Sequence, residues 1–141
     1  MRRSRMRFPI TAFAVVLALS LAAAPVAADP VVPAAGSAER ALIDGLKLIR
    51  DGQFDAWATQ WCSKAQLCFT GKSVDSLKKY NLPTVRKYAG QCIKGAGDAL
   101  DVSRTLVNGD EVKIFVTCDP DVSPRPFTLV KESKGWRFKT L

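Results

Sequence analysis

Four cysteines and a complete lack of histidine constrain this chain more than any other feature of its sequence. Structural zinc sites use cysteine and histidine, and their cysteines usually come in closely spaced pairs. No two cysteines here follow the C-x-x-C spacing, so we predict no metal site. An even number of cysteines in an exported chain instead favours two disulfide bonds, for which three pairings exist. We predict Cys62–Cys68, which closes a short loop, and Cys92–Cys118, which closes a longer one.

The start of the sequence predicts that the chain is exported. Residues 1–28 begin with four arginines, continue through an apolar run, Phe8–Ala24, and end with small residues before Asp29. This order is typical of a cleaved signal peptide. A retained membrane anchor is the alternative, but the apolar run is at the lower limit for a membrane span. We therefore predict a secreted or periplasmic, soluble protein with no transmembrane segment in the mature chain.

The remaining chain has the length of one domain. Residues 29–37 are rich in proline and alanine and lack periodicity, which predicts a flexible leader, and residues 38–141 form the predicted domain. Apolar residues recur at helical spacing in its first part, and Ser37 and Pro83 are typical of helix starts. The predicted helices cover residues 38–50, a segment from Phe54, a short segment from Ser73 to Tyr80, and Pro83 to Cys92.

The second part of the domain alternates apolar and polar residues, which predicts strands. Helices followed by an antiparallel meander indicate an α+β domain, here with N-terminal helices packed on a strongly curved antiparallel sheet. Trp136 and Phe138 lie two positions apart, so we expect both to face the core. The predicted strands are Leu100–Leu106, Val112–Cys118, Phe127–Lys131 and Trp136–Leu141.

The first hairpin of this sheet turns near Asn108 and Gly109. A two-residue loop at these positions would turn half of the apolar residues away from the core. We therefore predict a three-residue loop, Val107–Gly109, which pairs Arg104 with Val112 and places the glycine where a bulged hairpin requires positive φ.

Three stretches resemble the nuclear transport factor two-like superfamily, also called cystatin-like or SnoaL-like. They are DGQFDAW (51–57), which covers the turn after the first helix and the start of the second, LVKE (129–132) at the third strand and GWRF (135–138) at the last. The likeness is to small exported bacterial domains and covers roughly residues 38–141. It implies a cone, in which helices pack on a bent sheet and often leave a pocket at the open end. Members include isomerases, hydrolases and non-catalytic binding domains, so the fold alone does not define the function.

The missing histidine excludes several catalytic classes. There is no imidazole base and no Ser–His or Cys–His nucleophile, and no glycine-rich phosphate-binding motif is present, so we predict no cofactor. A cofactor-free isomerase or hydrolase that uses Asp101 and a tyrosine is one alternative. The main prediction is a non-catalytic binding domain that holds a small apolar or amphipathic ligand in the cone.

Five residues are candidate ligand contacts. Arg104 falls on an otherwise apolar strand face, where it either reaches into a pocket or extends its stem towards water. Trp57 and Trp61 have helical spacing, which is typical of core residues and, less often, of a ligand wall. Tyr80 and Tyr88, the two tyrosines of the chain, lie among basic residues.

A second alternative is a binding module with a basic surface. Residues 64–94 contain seven lysines and arginines but only one acid, Asp75. Such a stretch either attracts a lipid headgroup, an anionic glycan or an acidic protein, or is a solvated helix face. We expect no nucleic acid partner for an exported protein. The candidate contacts are Lys72, Lys78, Lys79, Arg86 and Lys87.

Overall fold

The computed structural model describes residues 30–64, 67–68 and 71–141. The predicted signal peptide lies outside the described residues, as does the side chain of Lys72. Within these ranges helices come first and an antiparallel sheet follows, so the predicted α+β class is confirmed. The elements are α1 (Ala38–Arg50), α2 (Phe54–Gln60), α3 (Gly71–Ser76), α4 (Leu82–Cys92), β1 (Ile93–Lys94), β2 (Ala99–Leu100), β3 (Val102–Asn108), β4 (Glu111–Val116), β5 (Arg125–Glu132) and β6 (Gly135–Thr140).

Helix α1 is the centre of the helical layer. Its N-cap is Ser37, whose Oγ accepts a hydrogen bond from the backbone N–H of Arg40 at 3.1 Å. Gly52, with φ of +74°, provides the left-handed residue in the turn towards α2. Because α1 packs against both α4 and the sheet, apolar side chains are buried around much of its circumference. They include Leu42, Ile43, Leu46 and Ile49.

A π-helical turn, Leu77–Asn81, joins α3 to α4. In it the N–H of Leu82 donates to the carbonyl of Leu77, five residues back. Pro83 accounts for the wider turn, because proline has no N–H and its ring clashes with the carbonyl four residues earlier. Pro83 lies in the first turn of α4, as predicted, whereas the helix predicted from Ser73 begins two residues earlier, at Gly71.

Four strands form an antiparallel sheet in chain order, β3-β4-β5-β6. The β3–β4 hairpin turns at Gly109–Asp110 and pairs Val107 with Val112. The predicted three-residue loop is therefore wrong, as is the pairing of Arg104 with Val112, because Arg104 lies opposite Phe115. Gly109 has φ of +59° at the first position of the two-residue turn, a place where glycine is favoured.

Bulges explain why the register could not be derived from alternation alone. The pairing of β3 with β4 shifts between Val102 and Arg104, and that of β5 with β6 shifts between Thr128 and Leu129. Each extra residue changes the face to which the following side chains point. Bulges also bend strands. The cone shape itself stays a prediction.

The inner face of the sheet packs on the helices, and the edge of β6 is covered. The ring of Phe138 is fully buried and lies edge to face against Trp57, with ring centroids 5.4 Å apart. The N–H of Phe138 donates to the carbonyl of Trp61 at 2.6 Å, and the N–H of Ser63 donates to the carbonyl of Phe138 at 2.9 Å. The segment after α2 therefore pairs with the last strand.

Both predicted disulfide bonds are present. Cys62–Cys68 closes the segment that follows α2, and Cys92–Cys118 joins the end of α4 to the chain after β4. Part of the predicted leader also docks on the domain, because the backbone of Val31 exchanges hydrogen bonds of 3.0 and 3.1 Å with Leu100. Among the described helices, none has both the length and the apolar character needed to cross a membrane.

Candidate functional site

Helices cover only part of the inner face of the sheet. Phe138 and Trp136 are two residues apart on β6, so both side chains point to that face. Phe138 is fully buried against Trp57, whereas Trp136 is half-buried beside the residues that begin α1. Both aromatic residues therefore face the core, as expected, but Trp136 packs at its border and is only partly covered.

The uncovered region is an open groove, which we call the trough. It consists of two adjoining cavities of about 330 and 540 Å³, both bordered by Ser37 and Glu39. The larger cavity lies between the start of α1 and the β3–β4 hairpin, and the smaller one between residues 31–34 and Val102. The apolar residues of the trough are Val31, Val32, Pro33, Ala34, Ala38, Val102, Val107, Val112 and Trp136.

Three valines of the trough, Val31, Val32 and Val107, are exposed. Val107 is paired with the buried Val112 in the β3–β4 ladder, yet its side chain is 72% exposed. Val31 is 63% exposed although two hydrogen bonds fix its backbone on Leu100, and Val32 is 59% exposed. Exposed apolar side chains that line a groove make it a candidate ligand-binding site.

Charged groups stand at the rim of the trough. Glu39, Asp110 and Lys131 border the larger cavity. The Nζ atom of Lys131 lies 5.8 Å from the ring centroid of Trp136, and its backbone N–H donates to the carbonyl of Asp110 at 2.8 Å. An apolar floor with both signs of charge at its edge suits a ligand that has an apolar body and a polar end.

The residues that the sequence singled out as ligand contacts do not line the trough. Trp57 is fully buried, and its indole N–H has no hydrogen-bond partner among the described residues. Trp61 is half-buried, 5.9 Å from the guanidinium of Arg137. Arg104 is exposed on the outer face of the sheet, where its guanidinium stacks 4.2 Å from the ring of Phe115.

The two tyrosines lie in different surroundings. Tyr80 is exposed, with the Nζ atom of Lys79 at 5.1 Å from its ring. Tyr88 is half-buried under the guanidinium of Arg125, 3.8 Å from the ring centroid. Burial raises the pKa of the Tyr88 hydroxyl above its ordinary value, and the charge of Arg125 offsets part of this increase.

Several cations of the basic 64–94 stretch form hydrogen bonds with other groups of the protein. Lys78 donates to Asp55 at 2.7 Å, and this hydrogen bond raises the pKa of Lys78. Arg86 donates to the carbonyl of Arg50 at 3.1 Å, at the end of α1, and Lys94 donates to the carbonyl of Cys118 at 3.1 Å. Lys79 and Lys87 are the remaining exposed candidates whose side chains the structure describes.

Sequence reasoning missed the lining of the trough. Val31 and Val32 were assigned to a flexible leader, and Val107 to a hairpin loop, so none of them was expected to form a surface. The available signal was an adjacent apolar pair inside a proline-rich leader. The position of that leader depends on pairing with Leu100, a contact that no periodicity reveals.

Comparison with known proteins gives no match: no family model, curated protein or solved structure matches the chain. In the part of the chain that the structure describes, no three side chains of cysteine or acidic residues come together as metal ligands. The geometry of the trough is therefore the main basis for assigning a function.

Proposed function

We propose that this domain is an exported, non-catalytic binding protein that holds a small apolar or amphipathic ligand in the trough. The observation that carries the proposal is the set of exposed valines at positions fixed by the β3–β4 ladder and by the backbone pairing of Val31. A ligand that covers them removes apolar surface from water, which is worth about 25 cal/mol per Å². Their backbone is already ordered, so little conformational entropy is lost on binding.

The size and the rim of the trough support this class of ligand. Small-molecule pockets in proteins commonly have volumes of about 300–1,000 Å³, and the cavities of 330 and 540 Å³ are in that range. The apolar body of the ligand would lie on Val107 and Val32, and its polar end would reach Lys131 or Glu39. Membership of the nuclear transport factor two-like superfamily implies a pocket at the open end of a cone, and we propose that the trough is this pocket. That membership is part of the proposal.

The two alternatives receive less support. Three cations of the basic 64–94 stretch, Lys78, Arg86 and Lys94, already bind groups of the protein. For an Asp/Tyr enzyme, the half-buried tyrosine, Tyr88, faces Arg125, and the structure gives no contact between it and Asp101. We therefore propose no second function.

The test is a binding titration with phenylnaphthylamine, a neutral apolar probe whose fluorescence rises in apolar surroundings. We expect saturable binding to the wild-type protein. Val107→Glu places a charge in the trough, which costs roughly 1–3 kcal/mol against an apolar ligand and weakens binding about tenfold or more. The matched control is Val122→Glu, which changes an exposed valine in the loop before β5 that does not line the trough.

Two results would overturn the proposal. One is wild-type affinity in Val107→Glu, and the other is an equal loss of affinity in Val107→Glu and Val122→Glu. Because Val107 is exposed, we expect Val107→Glu to fold, which circular dichroism checks before the titration. Native mass spectrometry of freshly purified protein then identifies any ligand that is retained.

A further inference from the structure

A second cleft lies next to the trough, between the start of α1 and the β5–β6 turn. Its cavity measures about 210 Å³. A neighbouring cavity of the same volume extends it towards the segment after α2, and Lys134 and Arg137 line both. We call these two cavities together the cationic cleft. The side chains that matter here are Arg40, Asp44, Trp61, Lys134, Trp136 and Arg137 in the first cavity and Lys64 in the second.

The cationic cleft has an excess of positive charge. It has two acids: Asp44 pairs with Arg40 at 3.1 Å, and the Glu132 carboxylate accepts a hydrogen bond from the buried Ser63 hydroxyl at 2.5 Å. Lys64 and Lys134 are both exposed, and neither has a hydrogen bond or ion pair with another described residue. The four cations that line the cationic cleft therefore outnumber its two acids, which leaves a net positive charge.

Arg137 provides the geometry for a specific contact. Its Nη1 atom donates to the carbonyl of Trp136 at 2.8 Å, which orients the guanidinium. A guanidinium has five N–H donors in a planar fork, and among the described residues the carbonyl of Trp136 is the one acceptor for that of Arg137. A carboxylate matches that fork with two parallel hydrogen bonds.

Aromatic surface accompanies the charge. Trp61 and Trp136 are both half-buried and line the same cavity. The guanidinium of Arg137 lies 5.9 Å from the ring of Trp61. A bare phosphate or chloride ion uses only the cations, whereas a ligand with an apolar ring also gains contact with the tryptophans.

We infer that the cationic cleft binds a small carboxylate that carries a ring, with the carboxylate on Arg137 and Lys134 and the ring against Trp61 and Trp136. Two sources share this chemistry: a uronic acid unit of an acidic glycan and a free aromatic acid. The inference does not depend on the function proposed for the trough. It differs from the basic 64–94 stretch because Lys134 and Arg137, two of the cations that line it, lie outside that stretch.

Three calorimetric titrations test this inference. The ligands are digalacturonate, benzoate and, as the uncharged counterpart of digalacturonate, the disaccharide of galactose. We expect saturable binding of at least one of the two acids, and none of the neutral sugar. Loss of a charge-assisted, bidentate contact weakens binding about tenfold or more. Arg137→Gln and Lys134→Glu should therefore each reduce the affinity by at least that factor. Binding of digalacturonate alone assigns the glycan source, and binding of benzoate alone assigns the free acid.

Lys87→Glu is the matched control, because it changes the net charge as Lys134→Glu does but lies exposed on α4. We expect its affinity to equal that of the wild type. An equal loss in Lys87→Glu and Lys134→Glu shows unspecific charge attraction and overturns the inference, as does the failure of both acids to bind. Phenylnaphthylamine binding in Lys134→Glu should be unchanged, so failure at this cleft can be told apart from failure at the trough.

Discussion

Phe138 and Trp136 point to the same face of the same strand, yet one is sealed in the core and the other lines an open groove. The sealed part of that face lies under α1 and α2, and Phe138 contacts Trp57 there. The open part lies beyond Ser37, where α1 begins. The difference shows that the alternation of a strand determines the direction of a side chain, while the length and position of the helices determine whether it is covered.

The two edges of the sheet differ in the same way. At β6 the backbone of Trp61 and Ser63 pairs with Phe138. At β3, within the described residues, no further strand pairs with the outer edge, and residues 103–108 are all exposed. Covered regions hold most of the stability of a domain, and binding surfaces are drawn from its less protected regions. We therefore expect stability to depend on the sealed part and ligand binding on the open part.

The largest expected effect is that of Phe138→Ala. Removing a fully buried aromatic ring costs about 3–5 kcal/mol in free energy of unfolding, because a cavity remains under α1. Val107→Ala, on the open part of the same face, should cost about 0.5 kcal/mol or less. Urea denaturation measures both values. If the two variants lost similar free energies of unfolding, Val107 would be as well covered as Phe138, which would contradict the comparison.

An intermediate effect is expected for Gly45→Ala in α1. A Cβ atom at this position overlaps the Phe138 ring, with Cζ only 2.6 Å away. Alanine normally stabilises a helix by about 1 kcal/mol relative to glycine, but overpacking of a core costs about 1–3 kcal/mol. We expect net destabilisation in urea denaturation.

Gly90→Ala in α4 is the matched control for this substitution. Its Cβ atom meets only the side chain of Arg50, at the ordinary contact distance of 3.6 Å. We expect this variant to be as stable as the wild type or more stable by up to about 1 kcal/mol. If Gly45→Ala also stabilised the protein, α1 would not be packed closely on β6.

The smallest effect concerns the border of the sealed part, where Tyr88 of α4 meets Arg125 of β5. Burial raises the pKa of Tyr88 in the folded state, so its contribution to stability is present below about pH 10 and is lost as the pH rises through the folded pKa. Tyr88→Phe should remove part of the alkaline decrease in stability, and Tyr80→Phe should not. Ultraviolet titration of tyrosinate in Tyr80→Phe gives the pKa of Tyr88 directly, and an ordinary value would contradict this expectation.

Much of the fold could be predicted from the sequence because it depends on local signals. Ser37 and Pro83 are helix-start residues, and both stand at the start of helices. The two disulfide pairings were predicted correctly. The order of the sheet followed from short connections between consecutive strands, which pair with their neighbours.

The register and the site could not be predicted because they depend on contacts distant in sequence. The bulge between Val102 and Arg104 changes the face of every residue before it, and only the pairing with β4 reveals it. The trough exists because Val31 pairs with Leu100 and because α1, which covers the sheet, begins only after Ser37. The periodicity of the sequence shows neither the pairing of Val31 nor the part of the sheet that α1 covers. Trp57 and Trp61 are candidate ligand contacts by residue type and spacing, but Trp57 is fully buried and therefore inaccessible to a ligand.

Methyl nuclear magnetic resonance during a titration with phenylnaphthylamine is the most direct test that the open part of the sheet face is the binding site. Val31, Val32, Val102 and Val107 lie in the trough, whereas Val85 lies in the core and Val122 lies in an exposed loop that does not line the trough. We predict saturable shifts of the methyl groups of these four trough valines, with those of Val85 and Val122 unchanged. Shifts at Val122 without shifts at Val107, or the absence of any saturable shift, would contradict the assignment of the trough as the binding site.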